Sequence, residues 1–189
     1  HLAKTYGDIY AVGSQDYDSL LFGAPRLIQN LTLARKRKTA SGWIEIKPQL
    51  IELEHVLGIL EISRDQLICL GILIGTDYNP KGLPGIGQKR ALGIVQKYKQ
   101  PIFIFDNEDI KQRIHSLPEE DRFNWKEIFE LFHKPDVEDA EMQFPKVNFE
   151  KIKEILMKHD FSEERIENQL EKLRKIQEAK KQTGLDKWF

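Results

Sequence analysis

Three aspartates carry the clearest chemistry in this sequence. Asp16 and Asp18 stand two residues apart in Gly13-Ser14-Gln15-Asp16-Tyr17-Asp18-Ser19-Leu20-Leu21-Phe22-Gly23, just after the apolar stretch Ile9-Tyr10-Ala11-Val12-Gly13. An extended backbone turns residues i and i+2 to the same side. Two carboxylates held that close repel unless a cation lies between them, and Mg²⁺ or Mn²⁺ is their natural ligand. A helix-capping Asp beside a solvated one fits the same spacing, so the pair by itself leaves both readings open. Asp77 is the third acid. It follows the apolar run Leu67–Ile74 through Gly75-Thr76. An acid at the end of a buried segment is costly unless paired or metal-bound, and the end of a helix disfavours a carboxylate. The three together point to a metal site.

The second candidate begins at Asn79. Asn79-Pro80-Lys81-Gly82-Leu83-Pro84-Gly85-Ile86-Gly87-Gln88-Lys89-Arg90-Ala91-Leu92 is a Pro/Gly loop with a G-I-G turn that runs into a helix opening with Lys and Arg. Glycines let a backbone approach a ligand closely, and a helix start offers N–H groups to phosphate. No strand precedes the glycines and no third glycine follows at the dinucleotide-binding offset; the P-loop pattern is missing too. What fits is the hairpin of a helix-hairpin-helix, which holds a duplex by its backbone without reading bases. A plain packing corner between two helices is the alternative. Charge favours DNA: net charge is only −1, but Tyr78 to Phe105 contains no acid and five basic residues, Lys81, Lys89, Arg90, Lys97 and Lys99.

These residues need elements to position them. Ile9–Gly13 reads as an interior strand of an α/β sheet, whose strand ends are where ligands collect. Leu27–Leu33 and Trp43–Ile46 read as two strands joined by Ala34–Gly42, a hairpin whose tip carries Arg35, Lys36, Arg37 and Lys38; an ordinary solvated loop fits that basic tip equally well. Leu50, Leu53, Leu57 and Leu60 mark one helical stripe. Ser63-Arg64-Asp65-Gln66 is a capping box opening a helix that is apolar all round. Beyond Gln100 the chain is helical: an aromatic face over Asn124–Phe132 reads as core, Asp136–Glu141 as an acidic linker, and Asn148–Ile176 as amphipathic helices with Phe149, Ile152, Ile155 and Leu156 on one side. Leu185, Trp188 and Phe189 share one face of a helical turn, and such a tail gains nothing unless it docks into an apolar groove. Order is expected to end near Ala179, in the Lys-rich run.

With 189 residues, 40% of them hydrophobic and 31% charged, the chain fits one large domain or a domain with an appendage. No apolar run approaches the ~20 residues of a membrane span. Cys69 is the only cysteine and reads as a small buried hydrophobe in a reducing compartment. The five histidines are scattered and show no ligand spacing. The expected divisions are residues 1–78, an α/β part with the basic hairpin; 79–105, the helix-hairpin-helix; 106–179, a helical extension; and 180–189, a binding tail.

Together G-S-Q-D-Y-D-S-L-L-F-G, L-I-G-T-D-Y, G-I-G-Q-K-R-A, F-S-E-E-R-I and the terminal Q-x-x-L-x-x-W-F resemble the flap endonucleases, especially their archaeal form, in order along the chain. The resemblance implies a partial Rossmann-like (PIN-like) nuclease core with a helix-two-turn-helix and a carboxyl-terminal helical part. It implies a metal-dependent, structure-specific enzyme that trims 5′ flaps in replication and repair. Asp16, Asp18 and Asp77 would be metal ligands and catalytic residues, with two Mg²⁺ ions (or Mn²⁺) in the full-length enzyme. Lys81, Gly82, Gly85, Gly87, Lys89 and Arg90 would hold flap or nicked double-stranded DNA at a potassium-stabilised loop. Arg35 to Lys38 would correspond to the family's β-pin beside the upstream duplex. Gln182, Leu185, Trp188 and Phe189 match the motif that binds the ring-shaped sliding clamp (PCNA). The implied setting is intracellular, at DNA, with no membrane.

The family's site also draws acids from segments that would precede His1, together with a helical arch. Two-metal hydrolysis needs cations ~3.5–4 Å apart clamped by several carboxylates. The chain is therefore expected to be a carboxyl-terminal portion, inactive alone. Two rivals stand beside this reading: a non-catalytic DNA- and clamp-binding module, and a different carboxylate–Mg²⁺ enzyme such as a phosphatase.

Overall fold

The structure is a computed structural model that describes residues 1–5, 9–31, 36–139, 143 and 146–183, the side chains of Arg37 and of 180–183 excepted. Its elements, in order, are α1 (Leu2–Thr5), β1 (Val12–Gly13), α2 (Asp18–Leu21), β2 (Arg26–Gln29), β3 (Lys36–Thr39), β4 (Gly42–Glu45), β5 (Gln49–Glu52), α3 (Leu53–Leu60), α4 (Arg64–Ile74), α5 (Gln88–Tyr98), α6 (Pro101–Phe105), α7 (Glu108–His115), a 3₁₀ turn (Glu119–Asp121), α8 (Trp125–His133), α9 (Phe149–Lys158) and α10 (Glu163–Thr183). They divide into two compact units, His1–Asp139 and Ala140–Phe189.

Helix α4 is the axis of the first unit. Its start is the capping box expected from sequence: Ser63 Oγ accepts the Gln66 N–H at 3.3 Å, and Gln66 Oε1 accepts the Ser63 N–H at 2.8 Å. Ile68, Cys69, Ile72 and Leu73 are completely buried, and the helix packs against α5, α8, α6 and α2. Nothing polar projects from most of its circumference, so only burial on several sides satisfies it. Phe132 of α8, on the expected aromatic face, fills the core against Phe22 and Tyr78.

The sheet departs from the sequence reading in three places. Its order is β1-β2-β5, with β1 parallel and β5 antiparallel to β2. The strand expected over Ile9–Gly13 shrinks to Val12–Gly13 and lies at an edge, with Tyr10 exposed under the Arg26 guanidinium. The strand expected over Leu27–Leu33 stops at Gln29, because Asn30 adopts a left-handed conformation (φ 60°) that no ladder accommodates. Pairing of that strand with Trp43–Ile46 is thereby lost. β3 pairs with β4 instead, from Lys36↔Glu45 to Thr39↔Gly42, around a turn at Ala40-Ser41. Lys36, Arg37 and Lys38 therefore sit along a strand rather than on a hairpin tip. Finally, Leu50 belongs to β5, opposite Ile28, and not to the helix that begins at Leu53. A cross-strand partner outweighed the helical periodicity there.

In the second unit α9 and α10 pack together through Ile166 and Leu170, with Lys153 bridging Glu163 and Glu167. Ile155 is exposed, unlike the rest of its expected stripe. Helix α10 continues to Thr183, past the expected loss of order near Ala179. Leu185, Trp188 and Phe189 lie outside the described residues. Among the described residues no helix is long and apolar enough to cross a membrane.

Candidate metal centre and nucleic-acid interface

Asp16 and Asp18 are placed by the turn between β1 and α2. Ser14 N–H extends the β1–β2 ladder to the Ile28 carbonyl, and buried Gln29 holds the turn from beneath. Gln29 Nε2 donates to the Gln15 carbonyl at 2.9 Å, while its Oε1 accepts the Tyr17 hydroxyl at 3.3 Å. Asp16 Oδ1 accepts the Asp18 N–H at 2.9 Å, an Asx turn that leads into α2; the helix's N-cap is Tyr17, so Asp16 is not the capping residue that the sequence also allowed. That bond occupies one Asp16 oxygen and leaves the other open. Leu20 and Leu21, buried one turn later, anchor α2 in the core.

Asp77 reaches the same place from α4. Gly75 (φ 116°) ends that helix where a side chain would meet the Pro80 carbonyl. A buried Thr76–Asn79 network then fixes the turn: Asn79 Oδ1 accepts from Thr76 N–H (3.2 Å) and Thr76 Oγ1 (2.7 Å), and Asn79 Nδ2 donates to the Ile72 carbonyl (2.7 Å). One carboxylate oxygen from each of Asp16, Asp18 and Asp77 lies within 4.8 Å of the others. Burial first, then Asp16 and Asp77, push the Asp18 carboxyl above its ordinary value. A divalent cation fits this set: three hard oxygen donors, mutually repelling, with the half-buried one short of compensation. The acids line a cleft of about 500 Å³ together with the apolar Val56, Leu67, Leu70 and Ile74. Cys69, in contrast, is a buried thiol pushed up to about 12 by desolvation, and is chemically silent. Sequence reasoning missed Gln29, Thr76 and Asn79; the one available signal was polar side chains flanking the acids in apolar surroundings.

The glycine loop joins α4 to α5 as a packed hairpin. Leu83 and Ile86 are buried, and Leu83 N–H donates to the Leu73 carbonyl at 2.9 Å. Gly82 (φ 54°) presses on the Ile74 peptide, Gly85 is also left-handed (φ 76°), and Gly87 caps α5. The acid-free stretch is less cationic in space than in sequence. Lys81 Nζ binds Asp121 at 2.8 Å, and that hydrogen bond raises its pKa. Arg90 Nη2 binds Asp109 at 3.1 Å, Arg113 Nε binds the same oxygen at 3.0 Å, and the two arginines donate to the Gly85 (3.3 Å) and Pro84 (2.8 Å) carbonyls. Lys89 is exposed and, like Lys97 and Lys99, makes no ion pair among the described residues. Lys89, Arg90 and Lys97 share a cleft of about 550 Å³ with Tyr98 and Asn107. Lys36 and Lys38 lie exposed on β3. Arg35 falls outside the described residues, and Arg37 and Gln182 are placed by backbone alone.

Residues 1–77 match the XPG I-region family. The chain is 46% identical over 186 residues to flap endonuclease 1 of Pyrococcus abyssi, covering 97% of this chain and 51% of that protein. It is 48% identical over 190 residues to flap endonuclease 1 of Sulfolobus acidocaldarius, covering 95% and 52%. Among solved structures, flap endonuclease-1 from Methanococcus jannaschii superposes with a TM-score of 0.68 at 36% identity, over 91% of this chain and 47% of that one. The chain spans about half the length of the curated relatives it matches.

Proposed function

We propose that this chain, similar over nearly its whole length to flap endonucleases and sharing their PIN-like α/β fold, is a member of that family and carries the metal site and duplex-binding hairpin of a structure-specific 5′ flap endonuclease of DNA replication and repair. The observation that supports this most is the convergence of Asp16, Asp18 and Asp77 oxygens within 4.8 Å. They would hold Mg²⁺, with Mn²⁺ as an alternative. A cation bound there supplies Lewis acidity toward a phosphodiester oxygen and acidifies an attacking water. The chain's own residues do the rest. The Thr76–Asn79 and Gln29 networks hold the carboxylates in place, so little reorganisation is needed when charge develops. Lys89 and the start of α5 would grip duplex phosphates through the Gly82–Gly87 loop, where K⁺ would sit, and Lys36 and Lys38 of β3 would offer cations to the upstream duplex.

The tail Gln182, Leu185, Trp188 and Phe189 would tether the protein to the sliding clamp, which places it inside the cell at DNA. The non-catalytic module reading draws on one observation, the hydrogen bond from the Asp18 N–H to Asp16, since a structural Asp would make that bond too. Two measurements separate the readings. Calorimetry should show Mn²⁺ binding that Asp77→Asn removes, and Asp77→Asn in the intact protein should abolish Mg²⁺-dependent flap cleavage while duplex binding stays. Full cleavage by Asp77→Asn would overturn the assignment.

A further inference from the structure

The acids of the metal site come from two places, the β1–α2 turn and the end of α4, and one side chain remote from all three ties these places together. Arg64 is the first residue of α4, a position where a cation opposes the helix dipole. It is half-buried there, and burial pulls its guanidinium below the ordinary value. Its partners are two carbonyls from other elements. Nε donates to the Leu21 carbonyl at 3.2 Å, and Nη2 donates to the Phe132 carbonyl at 2.7 Å. One is the last carbonyl of α2 and the other lies in the last turn of α8, where no helical partner exists. Gly23 (φ 89°) packs against the same guanidinium, since a side chain there would come within 2.9 Å of Nε.

Asp18 opens α2, a helix of four residues that is too short to hold its own geometry. Its far end is fixed to α4 twice. Leu21 fills the notch at Gly71, where a side chain would meet it at 3.0 Å, and Arg64 takes the Leu21 carbonyl. Phe132, at the other end of the brace, packs its ring on Phe22 (4.7 Å between centroids) and on Tyr78 (5.5 Å). Phe22 follows α2 and Tyr78 follows Asp77, so both arms of the site meet at the residue that Arg64 holds. Arg64 itself touches no carboxylate of the site, because α4, 11 residues or roughly 16 Å long, separates it from Asp77. We infer that Arg64 is a positioning residue for the metal site: through the Leu21 and Phe132 carbonyls it holds α2 where the Asp18 carboxylate can share a cation with Asp16 and Asp77. The inference rests on the metal reading above.

The test is Mn²⁺ titration calorimetry of the chain, well below its melting temperature, with Arg64→Met, Arg64→Lys and Leu117→Ala. Arg64→Met keeps an unbranched stem and removes both hydrogen bonds. It is expected to weaken Mn²⁺ about tenfold, the usual effect of losing a group that orients metal ligands. Arg64→Lys keeps the charge but lacks the planar fork that reaches two carbonyls, so its affinity should lie between those of the parent and Arg64→Met. Leu117→Ala removes a buried side chain elsewhere in the core; it should lower the melting temperature yet keep Mn²⁺ affinity within about twofold of the parent. A clamp that only stabilised the fold would behave as Leu117 does. Parent-like affinity in the Arg64 variants, or an equal loss in Leu117→Ala, therefore overturns the positioning role and leaves the metal site standing. Should Arg64→Met fail to fold, Arg64→Lys decides alone, and parent-like affinity in it overturns the role. A parent that binds no Mn²⁺ overturns the metal reading and the role of Arg64 together.

Discussion

Asp18 bears the electrostatic load of the acidic cluster. It is the most buried of the three acids, and both its neighbours carry the same charge. Relief of that repulsion has a measurable sign. Without divalent metal, Asp18→Asn should raise the melting temperature by about 1–2 °C, since one like charge is gone. With Mg²⁺ or Mn²⁺ added, the parent should gain stability and the variant should not. Scanning calorimetry with and without metal checks both halves; a parent unmoved by either cation would show that the cluster is not a metal site. Residue-level burial also explains why Thr76 and Asn79 matter: their hydrogen bonds are enclosed, and removing one partner would leave a buried polar atom unsatisfied.

At the level of elements, the glycine hairpin owes its shape to close backbone contact on one side and to two arginines on the other. Gly82→Ala would drive a methyl group into the Ile74 carbonyl at a left-handed φ of 54°. It should cost roughly 2–4 kcal/mol in urea unfolding and displace the hairpin from the end of α4. Gly87→Ala meets nothing within 4 Å and, as alanine is a poorer N-cap than glycine, should cost no more than about 1 kcal/mol, so the pair of variants separates a steric clash from a change of cap. The arginine brace depends on Asp109. Arg113, then Arg90, hold its carboxyl below the ordinary 3.8. A depressed carboxylate stabilises the folded state above its unfolded pKa, and that contribution fades as pH falls through the lower folded value. Asp109→Asn should therefore lower stability at neutral pH, and the gap to the parent should close on acidification below about pH 4. Thermal melts across pH 3–7 test this; a gap that persists at the acid end would assign the loss to packing rather than to charge.

For the whole molecule, the division at Asp139 is the main organising fact. The first unit holds the acids, the hairpin and the β3–β4 ribbon, and the second holds the α9–α10 pair. Val137, Glu138 and Asp139 are exposed and belong to no helix or strand. A glutamate-specific protease under native conditions should cut first at Glu138, leaving a fragment that keeps the cooperative melt of the first unit. First cleavage inside α4–α8 would show that the core is looser than its packing implies.

What could be read from the sequence was whatever depends on near neighbours along the chain. The Ser63–Gln66 capping box, the all-round apolar α4, the acids after apolar segments and the Pro/Gly hairpin after Asp77 are fixed by contacts over a few residues, and local sequence carries them. What only the tertiary structure decided involves partners far apart. β2 could pair with β4 or β5 on pattern alone, and a single left-handed Asn30 with the available neighbour settled it. Leu50 followed its cross-strand partner rather than its helical spacing. The acid-free run from Tyr78 to Phe105 looked uniformly cationic, but Asp109 and Asp121 return from later in the chain to engage Arg90 and Lys81. Charge in a sequence is one-dimensional and Coulomb's law acts in three, so only the fold shows which cations remain without an acidic partner.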